Sequence, residues 1–281
     1  MLIHSFLTNG KPMFDFAKLF LQSFKYHNGD RYKIVFTGKD LSSHQIKTLK
    51  DIYPNLDIWN EHIDYEELSI TTGYPIYKLH KIKERVENRK NGINRNDDLM
   101  WKQFISVDER YKKSIIDTVN RYEEFYQHVL HLDIDTCFFR DIEPIKKIVK
   151  NHDISFKWRY GGDKKKDKGA INKKIIGYCI GITINENSKQ YIHRWINYIN
   201  KVPLMKRQNG YGQSILFLAY KDLKKQVKFG SIPHWITSSN LREMKNRDKL
   251  PIIVGGNNMS KTANVTQMKT MYKGKWYGKR T

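Results

Sequence analysis

Apolar positions near the amino terminus switch between a short-run pattern and a helical one. Residues 2–7 form an apolar run, and Thr8-Asn9-Gly10 follows as a turn. Met13, Phe16, Ala17, Phe20 and Phe24 then recur at helical spacing, with Pro12 near the helix start. Ile34-Val35-Phe36 reads as a short buried strand ended by Gly38. Ser42 and Gln45 fit a capping box ahead of Ile46, Leu49 and Tyr53, and Pro54 stops that helix. Leu56–Trp59 is the next strand. This β-α-β-α-β order predicts a mainly parallel central sheet with helices on both faces.

Beyond that point the pattern loosens. Residues 60–98 are polar and basic, and Glu84–Asp98 reads as a mobile loop. Met100, Phe104, Val107 and Tyr111 mark one face of a helix. Strands are expected at Ile154–Trp158 and Ile175–Ile184, separated by Gly161-Gly162-Asp163-Lys164-Lys165-Lys166. Ile192, Trp195, Ile196 and Ile199 define another amphipathic helix, and Gln213–Tyr220 a further one opened by Gly210-Tyr211-Gly212. No internal repeat or linker is evident. The expectation is one continuous domain over 1–261 and a basic, aromatic tail over 262–281.

Between these halves lies the segment His128-Val129-Leu130-His131-Leu132-Asp133-Ile134-Asp135-Thr136, an apolar run that ends in two carboxylates spaced i, i+2. Residues two apart on a strand point the same way, so the two acids are expected to converge where the strand leaves the sheet. Neighbouring carboxylates repel unless a cation neutralises them. Hard oxygen ligands suit Mg²⁺ or Mn²⁺, whose sites are commonly completed by substrate phosphates. His131 alternates with core residues and reads as a packed histidine.

Charge changes the picture of partners. Lys and Arg number 51 against 29 for Asp and Glu, a formal net charge of +22. A polyanionic partner and a generally solvated lysine surface both fit this excess. Hydrophobic residues at 39% and aromatics at 13% exclude a disordered chain. No run approaches the roughly 18 apolar residues that span a bilayer. Cys137 and Cys179, the 2 cysteines, lie in apolar runs and read as reduced core residues of a cytoplasmic protein.

The segment Val129–Ile145, "VLHLDIDTCFFRDIEPI", resembles the "YLDxDT" strand and following helix start of GT-A glycosyltransferases, in particular the DxD-containing bacterial lipopolysaccharide galactosyl- and glucosyltransferases. Cys179-Ile180-Gly181-Ile182-Thr183-Ile184 resembles the family's "NAGVLLI" block, and Gly212-Gln213-Ser214-Ile215-Leu216 its "DQDIL" block. The resemblance implies a nucleotide-diphosphate-sugar transferase with Mn²⁺ or Mg²⁺. On it, Asp133 would touch the nucleotide ribose or the metal, and Asp135 would be the principal metal ligand. Thr8 and Asn9 would form the nucleotide-binding turn, Gly181 would admit the donor sugar, and Gln213 would lie beside the anomeric carbon. The family's carboxylate before Gln213 is here Gly212. Its "HFxGxxKPW" block appears as "VGGNNMSK" without histidine, leaving Asn257, Asn258 or water as third ligand and Lys261 for the departing diphosphate.

With no carboxylate beside Gln213, front-face transfer with retention is expected, and Asp163 is the alternative base. The different-class reading is a haloacid-dehalogenase-like phosphatase, from Asp133-Ile134-Asp135-Thr136 and Gly162-Asp163-Lys164-Lys165-Lys166-Asp167. A nucleic-acid-binding module without catalysis rests on charge alone. For the acceptor, Lys164–Lys168, Lys173-Lys174, Lys206-Arg207 and the Lys269–Arg280 tail admit two polyanions. One is DNA carrying a hydroxymethylated base, slightly favoured. The other is a glycan or lipid at an anionic membrane surface. His234 beside Trp235 reads as structural.

Overall fold

The computed structural model describes residues 1–8, 11–88, 114–158, 175–201, 211–233, 235–238 and 251–255. The chain begins β1 (Leu2–Thr8), α1 (Lys11–Asn28), β2 (Lys33–Lys39), α2 (Ser43–Ile52) and β3 (Leu56–Glu61). Two helices follow, α3 (Tyr65–Thr72) and α4 (Ile76–Asn88), and then α5 (Ser114–Tyr122). Next come β4 (His128–Leu132), β5 (Thr136–Phe138), α6 (Glu143–Lys150), β6 (Ile154–Trp158) and β7 (Ile175–Thr183). The remainder is α7 (Glu186–Asn200), α8 (Tyr211–Leu223), β8 (Phe229–Ser231), β9 (Thr237–Ser238) and β10 (Ile253–Gly255).

Seven strands form the central sheet in the order β3-β2-β1-β4-β7-β6-β8. Only β7 runs against its neighbours β4 and β6; the other pairings are parallel. The carboxyl ends of β1, β2, β3, β4 and β6 therefore share one edge. In open α/β sheets ligands bind outside that edge. The expected mainly parallel sheet, with helices on both faces, is what forms.

Strand alternation divides the core between the two faces. Ile3 and Leu7 of β1 pack with α1, α2 and α6 through Phe20, Phe24, Leu49, Ile145 and Val149. Leu2 faces the other way, towards α5, α7 and α8, where Val119, Trp195, Ile199 and Leu216 are buried. The predicted capping box starts α2: Ser42 Oγ accepts from Gln45 N, and Gln45 Oε1 accepts from Ser42 N.

A second sheet was not foreseen. Its order is β5-β10-β9, with β10 antiparallel to β5 and parallel to β9. It docks on α1 through Phe138, whose ring meets Phe20 at 5.0 Å and Phe24 at 4.9 Å, both edge-on. A fully buried side chain of this size contributes roughly 1.5–3 kcal/mol. Ser23 Oγ also accepts from Phe138 N at 3.1 Å.

Residues 60–98 required another correction. Tyr65–Thr72 and Ile76–Asn88 are helical, so the expected loop from Glu84 begins inside α4. Leu79 and Ile82 are buried there while Lys78 and Lys81 face solvent. Dense charge on the exposed face masked the amphipathic period. The helix expected from Met100 to Tyr111 lies outside the described residues. Among the described residues no helix is long and apolar enough to cross a membrane.

Candidate functional site

The paired acids sit at the carboxyl end of β4, the strand at the middle of the central sheet. The strand itself stops at Leu132, whose carbonyl accepts from Ser5 Oγ at 2.7 Å. Asp133 N still donates to Tyr178 O at 2.9 Å, and Thr136 N then donates to Asp133 O at 3.0 Å. That bond closes a turn over Asp133–Thr136. Their common location thus comes from a turn, and the expected strand alternation does not extend through Asp135. Ile134 is 3% exposed and anchors the turn in the core, whereas both aspartates are only half-buried. Packing of one apolar side chain leaves its acidic neighbours at the surface.

The turn is held from its far side as well. Thr136, Cys137 and Phe138 pair with Gly255, Val254 and Ile253, and Phe139 N donates to Ile252 O at 2.8 Å. Asp141 Oδ1 accepts from Glu143 N at 2.7 Å, an Asx turn that leads the chain into α6, while its other oxygen pairs with Arg31. "RDIEP" is therefore explained as a helix start that fixes the chain after the acids.

His131 is packed as expected, but its partner and several other polar groups at this edge escaped sequence reasoning. His4 on β1 and His131 on β4 are register partners, both fully buried, with Nδ1 atoms 2.9 Å apart. His4 Nε2 lies 3.2 Å from Thr37 Oγ1, and His131 Nε2 lies 3.9 Å from Asp133 Oδ1. At the ends of β2 and β3, Lys39 Nζ meets Glu61 Oε2 at 2.6 Å. Near the end of β6, fully buried Lys157 donates to Thr237 O at 2.9 Å and to the Tyr178 hydroxyl at 3.3 Å. It thereby ties the central sheet to the small one. The only hint in the sequence was a polar residue interrupting each apolar run.

The other expected site residues fall unevenly. Thr8 is the last residue of β1 and belongs to the same edge, while Asn9 lies outside the described residues. Gly181 pairs with Leu130 and Ser155 inside the sheet. A Cβ there would fall 2.3 Å from Val149 Cγ2, so close packing of α6 explains the glycine. Gln213 is in the first turn of α8, but its side chain lies outside the described residues. Asp163, His234, Asn257, Asn258 and Lys261 also lie outside them. Both cysteines are buried, and burial pushes each thiol up to about 12. Neither is a nucleophile at neutral pH.

Among the described residues no group of three or more His, Cys, Asp or Glu side chains gathers as a metal cage. The donor set at Asp133 and Asp135 fits Mg²⁺ or Mn²⁺ in another way. Such ions are commonly held by one or two carboxylates, with water and substrate phosphate supplying the rest. The phosphatase reading loses ground on topology, because only β5, α6 and β6 stand between Asp135 and residue 158. That family needs several β/α units there.

No protein-family model matches the chain, and no curated protein matches its sequence. Solved structures do match its fold. A crystal structure of the galactosyltransferase LgtC with donor and acceptor sugar analogues has TM-score 0.53 and 11% identity, covering 99% of each chain. Mouse xyloside xylosyltransferase 1 has TM-score 0.50 and 9% identity, covering 91% of this chain and 97% of that one. The WbbM bifunctional glycosyltransferase has TM-score 0.52 and 9% identity, covering 97% of this chain and 51% of that one. The protein therefore has the GT-A fold, as the resemblance at Val129–Ile145 implied.

Proposed function

We propose that this protein is a glycosyltransferase that moves a sugar from a nucleoside-diphosphate donor to an acceptor hydroxyl with the help of Mn²⁺ or Mg²⁺. One observation carries the reading: two half-buried aspartates occupy the turn at the carboxyl end of the central strand of a GT-A sheet. Asp135 would be the principal cation ligand, and Asp133 would hold the cation or the ribose. Thr8 and Asn9 would border the nucleotide. Asn258 would be the third cation ligand, and Lys261 would meet the departing diphosphate as a point charge. A bound divalent ion supplies Lewis-acid stabilisation of the negative charge gathering on the diphosphate.

In the transfer, the anomeric C–O bond to the diphosphate breaks and its electron pair stays on the diphosphate oxygen. The acceptor oxygen bonds to the anomeric carbon and gives up its proton. Gln213 would sit beside that carbon, and with Gly212 preceding it no neighbouring carboxylate serves as base. Front-face attack with retention follows, the proton passing to the departing oxygen. Asp163 is the alternative base, and its use would give inversion. Hexosyl and pentosyl donors both remain within this chemistry.

The acceptor reading rests on the +22 charge. A hydroxymethylated base in duplex DNA is the first candidate, with lysines on phosphates positioning the duplex. A glycan or lipid at an anionic membrane, reached through the tail over 262–281, is the second. Steeply salt-dependent duplex binding supports the first; liposome binding lost on removing residues 265–281 supports the second.

The test of the core reading is a hydrolysis screen of nucleotide sugars with Mn²⁺, comparing the natural protein with Asp135→Ala. Metal-dependent turnover of at least one donor, lost in the variant, is expected. Turnover of none, or turnover indifferent to Asp135, would overturn it. Hydrolysis of p-nitrophenyl phosphate abolished by Asp133→Asn would restore the phosphatase.

A further inference from the structure

The apolar face of the sheet that buries Leu2, Val35 and Val129 also carries a polar line across β2, β1 and β4. Thr37, His4 and His131 make it up, and Asp133 stands at its end. Both imidazoles are fully buried, which favours their neutral forms. A 2.9 Å contact between two ring nitrogens needs one donor and one acceptor. Only two neutral arrangements satisfy it.

In the first, His131 Nδ1–H donates to His4, which leaves the lone pair of His131 Nε2 facing the Asp133 carboxylate. In the second, the Thr37 hydroxyl donates to His4 Nε2, His4 Nδ1–H donates to His131 Nδ1, and His131 Nε2–H faces Asp133. The second sets every N–H dipole towards the negative charge, and a chain so aligned polarises along its length. The separation of 3.9 Å from Nε2 to Asp133 Oδ1 exceeds a hydrogen bond. At that distance the interaction is a charge–dipole attraction through a buried setting, which still favours an N–H over a lone pair facing the carboxylate.

We propose that His131, held in one tautomer by His4, presents Nε2–H to Asp133 and orients its carboxylate at the nucleotide site. His4 and His131 are positioning residues; neither touches substrate. The role given to the carboxylate rests on the function proposed above, whereas the tautomer does not. Partners behind a ligating carboxylate typically change metal affinity about 10–100-fold when removed.

Long-range ¹H–¹⁵N spectra of histidine-labelled protein, without nucleotide or metal, read the tautomers directly. A protonated Nε2 on His131 and a protonated Nδ1 on His4 are expected, assigned by losing each signal in His131→Gln and His4→Gln. An unprotonated Nε2 on His131 overturns the proposal. Mn²⁺ binding, followed by electron paramagnetic resonance with excess uridine diphosphate, gives the second readout. His131→Leu should weaken it about 10–100-fold, and His131→Gln, which retains an N–H, should recover most of the loss. Equal binding in His131→Leu and the natural protein also overturns it. If the natural protein binds no Mn²⁺ with any nucleoside diphosphate, the functional reading fails, and the tautomer alone decides this one. If His131→Leu does not fold, the spectra and His131→Gln decide.

Discussion

Asp153 and Asp133 flank strands of the same sheet at opposite edges, and their surroundings set them to different work. Asp153 precedes β6 at its amino end. Its carboxylate accepts from Lys228 N at 2.8 Å, Asn185 Nδ2 at 2.7 Å and Asn187 Nδ2 at 3.2 Å. Asn185 is also the cap of α7, so one acid joins a strand, a helix start and the approach to β8. Asp133 follows β4 at its carboxyl end, on a turn fixed by backbone bonds, half-exposed and facing a buried imidazole across 3.9 Å. Backbone and amide donors saturate the first acid, which makes it structural. On the function proposed above, the second, held on a backbone-fixed turn at the carboxyl edge, would serve a cation. Equal charge and similar depth thus decide nothing; the place of each acid does, one before a strand and bound by a helix cap, the other on the turn after a strand.

The sharpest way to break this contrast is to remove each acid in turn. Asp135→Ala should lower metal-dependent turnover at least about 100-fold, since a Lewis acid contributes several kcal/mol and 1.36 kcal/mol is tenfold. Asp153→Asn should leave turnover near that of the natural protein at a temperature where it is folded. Steady-state rates for both variants check the pair. A large loss of rate in the folded Asp153→Asn protein would erase the distinction.

Stability should show the reverse order. Asp153→Asn leaves donors unmatched and should cost about 1–3 kcal/mol in urea unfolding. Its pH dependence follows from the carboxyl group. Burial alone raises the Asp153 pKa, but the bonds from Lys228, Asn185 and Asn187 outweigh burial and hold it below the usual 3.8. A group depressed on folding contributes fully above its unfolded value and loses that contribution as pH falls through the folded one. The gap between natural protein and variant should therefore be constant near neutrality and narrow only below 3.8. A gap that instead closes between pH 5 and 7 would contradict the assignment.

Gly181 sharpens the contrast within the sheet. Gly181→Ala should cost about 1–3 kcal/mol through overpacking against Val149, and adding Val149→Ala should return part of it. Thermal melts of the single and double variants test this. Unchanged melting with a raised KM for donor would instead favour the sugar-facing role. The smallest effect belongs to the capping box: Ser42→Ala should cost about 1 kcal/mol and leave nucleotide binding unaltered by calorimetry.

What the sequence revealed follows element length and locality. The units from β1 to β3 were readable because Phe16, Phe20 and Phe24 repeat at helical spacing and Ser42 and Gln45 form their cap within four residues. The acids were readable because they end an apolar run. β9 and β10 were not, since Thr237–Ser238 and Ile253–Gly255 are too short to show any period. The imidazole line was hidden for another reason. His4 and His131 meet only through the β1–β4 register, 127 residues apart in sequence. Gly181 shows the reverse situation: its position fits a family block, and its immediate surroundings supply a packing reason of their own.

The most direct measurement is calorimetric titration of uridine, guanosine, adenosine and cytidine diphosphates into the protein, with and without Mn²⁺. At least one nucleotide should bind more tightly with Mn²⁺, and Asp135→Ala should abolish that gain while Asp153→Asn keeps it. Mn²⁺-enhanced binding that survives in Asp135→Ala, or no enhancement for any nucleotide, would contradict the account.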